Sequence, residues 1–418
     1  MEKFLKFRRI IFAFFLIIFV IGAVFIFFYS RGLNFDLKTF RFQKTGAIFI
    51  ETTPKNVNIK IDGKNFKDLS GPLSSGTLIS NLSPKTYKLK ITKNGFLDWE
   101  KNVLVKPAIV SEAINIILMP QDIKKELIFD FKKISDFLIS PKEKIIFKTN
   151  DKLYFYISSA NLIKLKGDTP IEISSDGTKA IIKDSSSHIF YFYSLKSPFF
   201  ATNINLLVSK IDSKAKIKSL TFHPFDSNRI IVDIGSRLLI LDTDSLKTET
   251  IFESLKKPFI WELVGSKVYF FSDEEAGFFN LVFKTRSNLP SSLFNILNAS
   301  KVFKISPDGK KIAFVDQDNQ IKIYFLEDQI KVFPQKAGDI ISLNLKNQKE
   351  IKNIYWYPDN FHLFIELPNE VYFTEVDSRQ PINNYLIDSG FSKFYYDDSN
   401  NTVFLLENGS LYKWQMKY

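Results

Sequence analysis

The 418-residue chain has no cysteine, three histidines, three methionines and a single long apolar run. Without cysteine there is no disulfide framework, no thiolate metal site and no lipid-carrying cysteine, a composition that suits an exported chain avoiding stray thiol chemistry. His188, His223 and His362 stand far apart, with neither His-x-x-x-His nor His-x-His spacing, so they read as turn or strand-edge residues rather than zinc ligands. Gly-x-Ser-x-Gly is missing, as are a Gly-rich phosphate loop and a dinucleotide fingerprint. No catalytic, cofactor-binding or metal-ligating residue is assigned on these grounds, no cofactor is expected, and the sequence predicts no enzyme. A dense basic block is absent too. The formal charge of +12 comes from lysines spread singly among acidic residues, which predicts a solvated basic surface and no nucleic-acid partner.

What is present begins at the N-terminus. Ile10 to Tyr29 is an unbroken apolar stretch behind Lys3, Lys6, Arg8 and Arg9. At about 1.5 Å per residue such a helix spans a hydrocarbon core of roughly 30 Å. A cleaved secretory signal would have a shorter core and a small-x-small cleavage site, whereas this run ends in bulky Phe25 to Tyr29. The reading is therefore a cytoplasmic leader over residues 1–9, a transmembrane helix over 10–29 and a polar, basic stalk over 30–45. The positive-inside bias sends the remainder across the membrane, although Arg31, Lys38, Arg41 and Lys44 weaken it.

Residues 46–119 show short strands in which apolar and polar residues alternate: Ala47 to Thr52, Val57 to Ile61, Thr77 to Ile79, Tyr87 to Ile91, Val103 to Val105 and Ala113 to Leu118. Asp62-Gly63 and Asn94-Gly95 supply tight turns. Seventy residues of this pattern predict a small β-sandwich. Thr53-Pro54, the strand into Asp62-Gly63, Leu82-Ser83-Pro84, Tyr87 to Ile91, Asn94-Gly95-Phe96 and Val103 to Val105 resemble the PEGA family of extracytoplasmic β-domains. The chain departs from that pattern at Lys55-Asn56-Val57, after Pro54, and at Lys85, where the family commonly has Gly. The resemblance implies a non-catalytic binding or spacing role and supplies no site residue.

From 121 to 418 the chain repeats a strand, turn, strand, turn, strand unit. Its clearest copy is Val302 to Ile305, Ser306-Pro307-Asp308-Gly309, Ile312 to Val315 and Ile321 to Phe325, with Ile330 to Phe333 expected as a fourth strand. Related turns fall near 141, 175, 224, 264, 307, 358 and 397, about 43 residues apart on average, as propeller blades of four strands require. Seven copies predict a seven-bladed β-propeller. The copy through Trp261 to Phe271 is weak, so six or eight blades remain open. The last copy ends at Tyr418 without an outer strand, and Leu127 to Phe131 is expected to pair with residues 411–416 to close the ring. Through the Ser-Pro-Asp-Gly turn the copies resemble TolB-type and WD-repeat-like propellers.

Three features invite a ligand and read better as structure. Asp308-Gly309 and Asp176-Gly177 are hairpin turns. Asp316, Asp318 and Glu327 have calcium-loop spacing, but Ile321 stands where the turn glycine belongs. Asp273-Glu274-Glu275 reads as a solvated turn. Aromatic residues lie mostly within strands, as core requires. Trp99, Trp261, Trp356 and Trp414 are the ones whose exposure would indicate recognition. The fold class is thus all-β with one transmembrane helix. The expected function is non-catalytic recognition or scaffolding of a protein or glycan at the cell envelope. The alternatives are a sensor or accessory subunit of a membrane complex, and an enzyme with an unrecognised central-channel site.

Overall fold

The computed structural model describes residues 2–30, 33–36, 41–71, 74–130, 133–158, 161–254, 258–343, 345 and 349–416. Arg31, Lys38, Phe131 and Tyr418 lie outside them.

The N-terminal segment is a helix, Glu2–Ser30, whose stretch Phe7–Phe28 is long and apolar enough to cross a membrane. The expected stalk contains a short hairpin instead of plain coil: Leu33–Asp36 pairs antiparallel with Arg41–Lys44.

Two sheets follow. Thr77–Leu82, Gly46–Thr53 and Val110–Ile117 form one; Lys64–Phe66, Asn58–Ile61, Thr86–Thr92 and Trp99–Leu104 form the other. Alternation works as the pattern requires, since Ile59, Ile61, Leu89, Ile91 and Val103 point inward from one sheet against Ile48, Ile50 and Ala113 from the other. The hairpin strands Lys64–Phe66 were not expected. Asp68 ties the segment after them, accepting from Val57 N, Ser70 N and Thr77 Oγ1 at 3.0, 2.9 and 2.7 Å.

Residues 126–415 build seven open, four-stranded antiparallel sheets. Six are continuous in sequence, over 134–165, 169–203, 219–253, 259–289, 302–343 and 353–389. The seventh combines Lys393–Asp397, Thr402–Glu407 and Ser410–Gln415 with Glu126–Asp130, whose Leu127 pairs with Tyr412 and Asp130 with Ser410. Each sheet packs face to face on the next. Ile146 and Phe155 of the first meet Ile182 and Tyr191 of the second, and corresponding clusters join every later pair. The series returns to its start, where Phe404 and Leu406 of the seventh sheet lie against Phe137 and Phe147 of the first. Burial on both faces explains why central strands such as Lys311–Val315 are apolar without alternation. Each large side chain so buried contributes roughly 1.5–3 kcal/mol.

The recurring turn has a definite chemistry. Ser306 Oγ donates to Asp308 Oδ1 at 2.6 Å and accepts from Lys311 N at 2.9 Å, while Lys310 N donates to Asp308 Oδ1. Gly309 has φ +73°, and a Cβ there would come within 2.4 Å of Tyr269 Oη on the preceding sheet. The turns also hook neighbouring sheets together: Ser227 Oγ donates to Asp176, Asp308 N to Asn360 Oδ1, and Asn400 Nδ2 to the Pro141 carbonyl.

One expectation needs correction. The outer strand of the fifth sheet is Ile340–Leu343, and Ile330 to Phe333 belong to the loop before it. That loop is drawn off by other contacts: Phe333 is buried in the core between the fifth and sixth sheets, and Val332 N donates to Glu112 of the N-terminal β-domain. The loops between sheets also carry two short helices, Ile204–Ser209 and Leu293–Asn298, which plug apolar residues against the sheet faces.

Candidate functional site

The first strands of successive sheets lie beside one another at the centre of the array. Between those of the fourth to seventh sheets is a cavity of about 460 Å³ lined by Glu262, Lys304, Asn353, Tyr355, Tyr395 and Asp398, among others. Its carboxylates are used as ties. Glu262 accepts from Ile305 N at 2.8 Å and pairs with Lys304 at 3.1 Å, linking the fourth sheet to the fifth. Glu172 does the same between the second and third, accepting from Phe222 N at 2.9 Å and Thr221 Oγ1 at 2.8 Å. Tyr355 Oη donates to Glu366 at 2.9 Å.

Burial dominates the electrostatics. It pushes the carboxyl groups of Glu262, Glu366 and Asp398 upward, and the Tyr355 and Tyr395 hydroxyls as well. Glu172 is pushed up to about 7, its two hydrogen bonds offsetting burial only in part. Its folded pKa lies above the ordinary value of 4.5, so the stability it contributes is complete below that value and is lost as pH rises through about 7. Glu172→Gln is expected to remove this slope, so that the variant gains on the parent by about 3 kcal/mol between pH 4.5 and pH 8. Denaturant melts at the two pH values check it. Parallel pH dependences would show the carboxyl to be hydrated. Chemically the cavity offers half-exposed tyrosine faces and paired polar groups, which suit binding. Among the described residues no three or more histidine or acidic side chains are grouped to hold a metal. Sequence reasoning missed these ties, for which a Glu inside an apolar strand, as in Ile171-Glu172-Ile173, is the local signal.

A second cavity, of about 480 Å³, lies where the seventh sheet meets the first, with Lys413 between Glu126 and Glu143 at 3.6 and 3.4 Å. The residues singled out in sequence do not converge on either cavity as a set. His362 Nδ1 lies 2.7 Å from Asp359 and stacks on Phe373; His223 is buried, which lowers its pKa; His188 occupies a positive-φ turn. Trp99, Trp356 and Trp414 are buried, Trp356 lining the central cavity and Trp414 the second. Trp261 is half-exposed on a first strand and donates to Ser219 Oγ at 3.1 Å. Asp316 caps Gln320 N and pairs with Lys322, while Glu327 pairs with Lys310, so the calcium-loop spacing resolves into separate turn contacts.

The densest polar network lies elsewhere and was not foreseen. Lys101, on a strand of the N-terminal β-domain and 0% exposed, pairs with Glu375 of the sixth sheet and donates to the Arg379 carbonyl at 2.8 Å. Glu375 also accepts from Trp99 Nε1 at 3.0 Å and from Asn383 N and Nδ2 at 2.7 and 2.8 Å. Two further bonds run alongside, a backbone bond from Asn102 N to the Gln380 carbonyl and one from the Asn383 side-chain Nδ2 to the Glu100 carbonyl. Ile117 and Met119 enter the core between the sixth and seventh sheets. Nothing in the sequence pairs Lys101 with a residue 274 positions away.

The two β units thus define an N-terminal β-domain docked on a ring of sheets. Residues 45–120 match the PEGA domain family and form a PEGA domain. The sheets that follow have β-propeller neighbours among solved structures. The beta-propeller domain of Myceliophteria thermophila Cps50 (Swd1) is similar over 70% of this chain and 100% of its own, with TM-score 0.44 and 9% identity. PorZ, described as an essential bacterial surface component of the type-IX secretion system of Porphyromonas gingivalis, is similar over 69% of this chain and 37% of its own, with TM-score 0.42 and 16% identity. No curated protein matches the sequence.

Proposed function

We propose that the chain is a membrane-anchored, non-catalytic protein of the cell envelope, with residues 1–9 cytoplasmic and its β-domains outside. The β-domains are a PEGA sandwich and a seven-bladed propeller of the TolB-type or WD-repeat-like kind, closed by Glu126–Asp130. The propeller recognises or scaffolds a protein or glycan, for which the central cavity with Tyr355 and Tyr395 offers a binding surface. The observation that carries this reading is the apolar helical stretch Phe7–Phe28, with Lys3, Lys6, Arg8 and Arg9 at its N-terminal end and a PEGA domain after it. A role as sensor or accessory subunit uses the same topology and would show as a second membrane protein copurifying with the chain.

The test is protease accessibility of a C-terminal tag on the full chain, in intact cells with the outer envelope permeabilised and in lysed cells. The tag is expected to be lost in both. Protection until lysis would place the propeller in the cytoplasm and overturn the envelope reading.

A further inference from the structure

The two ends of the sheet ring differ in polarity. In each sheet the first-to-second and third-to-fourth connections share one end, and cross-sheet bonds between first turns put those ends on the same side at three seams, second to third, fifth to sixth and seventh to first. The opposite end carries the second-to-third turns, among them Ser185-Ser186-Ser187, Asp273-Glu274 and Asp316 to Gln320, and the connections between sheets, where among the described residues Leu206 of the helix Ile204–Ser209 is the one exposed large apolar residue, at 61%. The first end carries Phe199 and Phe200 of the second sheet, exposed by 74% and 83%, Phe225 of the third, Val282 and Phe283 of the fourth, and Ile330 of the fifth. Single exposed apolar residues are ordinary on a soluble surface. Six of them gathered on the turn tips of one end, against Leu206 at the other, are not.

The PEGA domain marks that same end. Trp99 and Lys101 dock on Glu375 and the third-to-fourth turn of the sixth sheet, and Glu112 on the corresponding turns of the fifth and sixth, at Val332 N and Arg379 Nη1. The domain therefore lies along the rim over the fifth to seventh sheets and leaves the arc of the second to fourth open. Its own N-terminal strand leads back through the hairpin at 33–44 to the apolar helix. Beside the tips stand Lys196, Lys284 and Lys331, Lys284 being held by Glu249. Aromatic and aliphatic tips next to lysine suit an anionic bilayer interface, where the rings enter the headgroup boundary and the ammonium groups stay in water.

We propose that the open arc rests on the lipid bilayer that holds the N-terminal helix, giving the propeller a second, peripheral membrane contact through Phe199, Phe200, Phe225 and Phe283. The inference depends on the anchor reading above. The propeller is thereby presented with its polar end outward.

The test uses the absence of native cysteine. The full chain, carrying a single Phe200→Cys or Phe283→Cys labelled with a polarity-sensitive fluorophore, is reconstituted into phosphatidylcholine–phosphatidylglycerol vesicles, with Ser187→Cys and Asn319→Cys as reporters of the opposite end. Emission from positions 200 and 283 is expected to shift to the blue and to be quenched by lipid-borne quenchers, while 187 and 319 stay in water. Alkaline extraction of the same vesicles reports helix insertion separately. An inserted helix with all four labels equally aqueous would overturn the second contact but not the anchor. A blue shift without lipid quenching would assign the tips to a protein surface and overturn the lipid contact. A chain released by alkali would remove both readings.

Discussion

Lys101→Met is expected to cost about 3–5 kcal/mol, because it leaves the Glu375 carboxylate buried without its cation. Lys101 is fully enclosed, and Glu375 keeps only neutral donors, Trp99 Nε1 and Asn383, once the ammonium is gone. The loss is expected to appear as early release of the PEGA domain, turning one thermal transition of the full chain in detergent into two. The double variant Lys101→Met with Glu375→Gln removes the stranded charge but keeps an acceptor for Trp99, so it is expected to be more stable than Lys101→Met alone. That non-additivity measures the pair. Lys101→Met melting within about 0.5 kcal/mol of the parent would mean that the two domains are not docked in solution. The buried pair of Lys101 and Glu375 joins the N-terminal β-domain to the sixth sheet.

How much of this could be read beforehand depended on whether the determinant was local. The apolar run, the alternation around Ile59 and Ile61, and the Ser306 to Gly309 turn are written within a few residues, and the structure uses them as read. The pairing of Glu126–Asp130 with Ser410–Gln415 was legible for a different reason: a repeat short of one strand and a strand short of a repeat must meet. The fifth sheet misled because Ile330 to Phe333 and Ile340 to Leu343 are both runs of strand length rich in apolar residues, and the contacts that hold the first as a loop, Val332 N to Glu112 and Phe333 in the core between sheets, are not local. The helices Ile204–Ser209 and Leu293–Asn298 carried their own signal, apolar residues at i and i+4 in Ile204 and Val208 and in Leu293 and Leu297, overridden by the β pattern on either side.

The candidate site was legible only in part. Glu172 and Glu262 stand out as acids in apolar strands, yet their partners Phe222 N and Ile305 N belong to the next sheet and depend on how the sheets are arranged. Trp356 was flagged and lines the central cavity, but buried, its Nε1 donating to the Lys304 carbonyl. Tyr355 and Tyr395, which give that cavity its half-exposed rings, look in sequence like any other strand aromatic. The Lys101 network had half a local trace: Lys101 stands in phase with Trp99 and Val103 on the inward face of its strand, opposite Leu89, but no neighbouring residue names its partner in the other domain.

Phe129→Ala is expected to open the seam between the seventh and first sheets at a cost of about 3–5 kcal/mol. Phe129 is buried with its ring centroid 5.9 Å from that of Phe147 and 4.1 Å from that of Tyr156, so its removal leaves a void in the cluster that joins the end of the series to its beginning. What remains across the seam is Phe404, Leu406 and Leu411 against Phe137 and Phe147, with Lys393 paired to Asp136 and Asn400 donating to the Pro141 carbonyl, while the strand Glu126–Asp130 itself keeps the Ser410 Oγ bond to Asp130 at 2.9 Å. Every other sheet is continuous in sequence, whereas this one joins strands separated by the length of the ring, and its closure entropy is correspondingly greater. The defect should therefore stay local at first. Amide protons of Ser410–Gln415 are expected to exchange faster than those of the fifth sheet, and proteases to clip the C-terminal strand before any other. Phe325→Ala, in the core between the fifth and sixth sheets, is expected to cost a similar amount without exposing the C-terminus. Equal exchange at both places in the two variants would show that the seam is no weaker than the rest of the ring. Faster exchange confined to residues 410–415 would show that one shared strand keeps the ring closed.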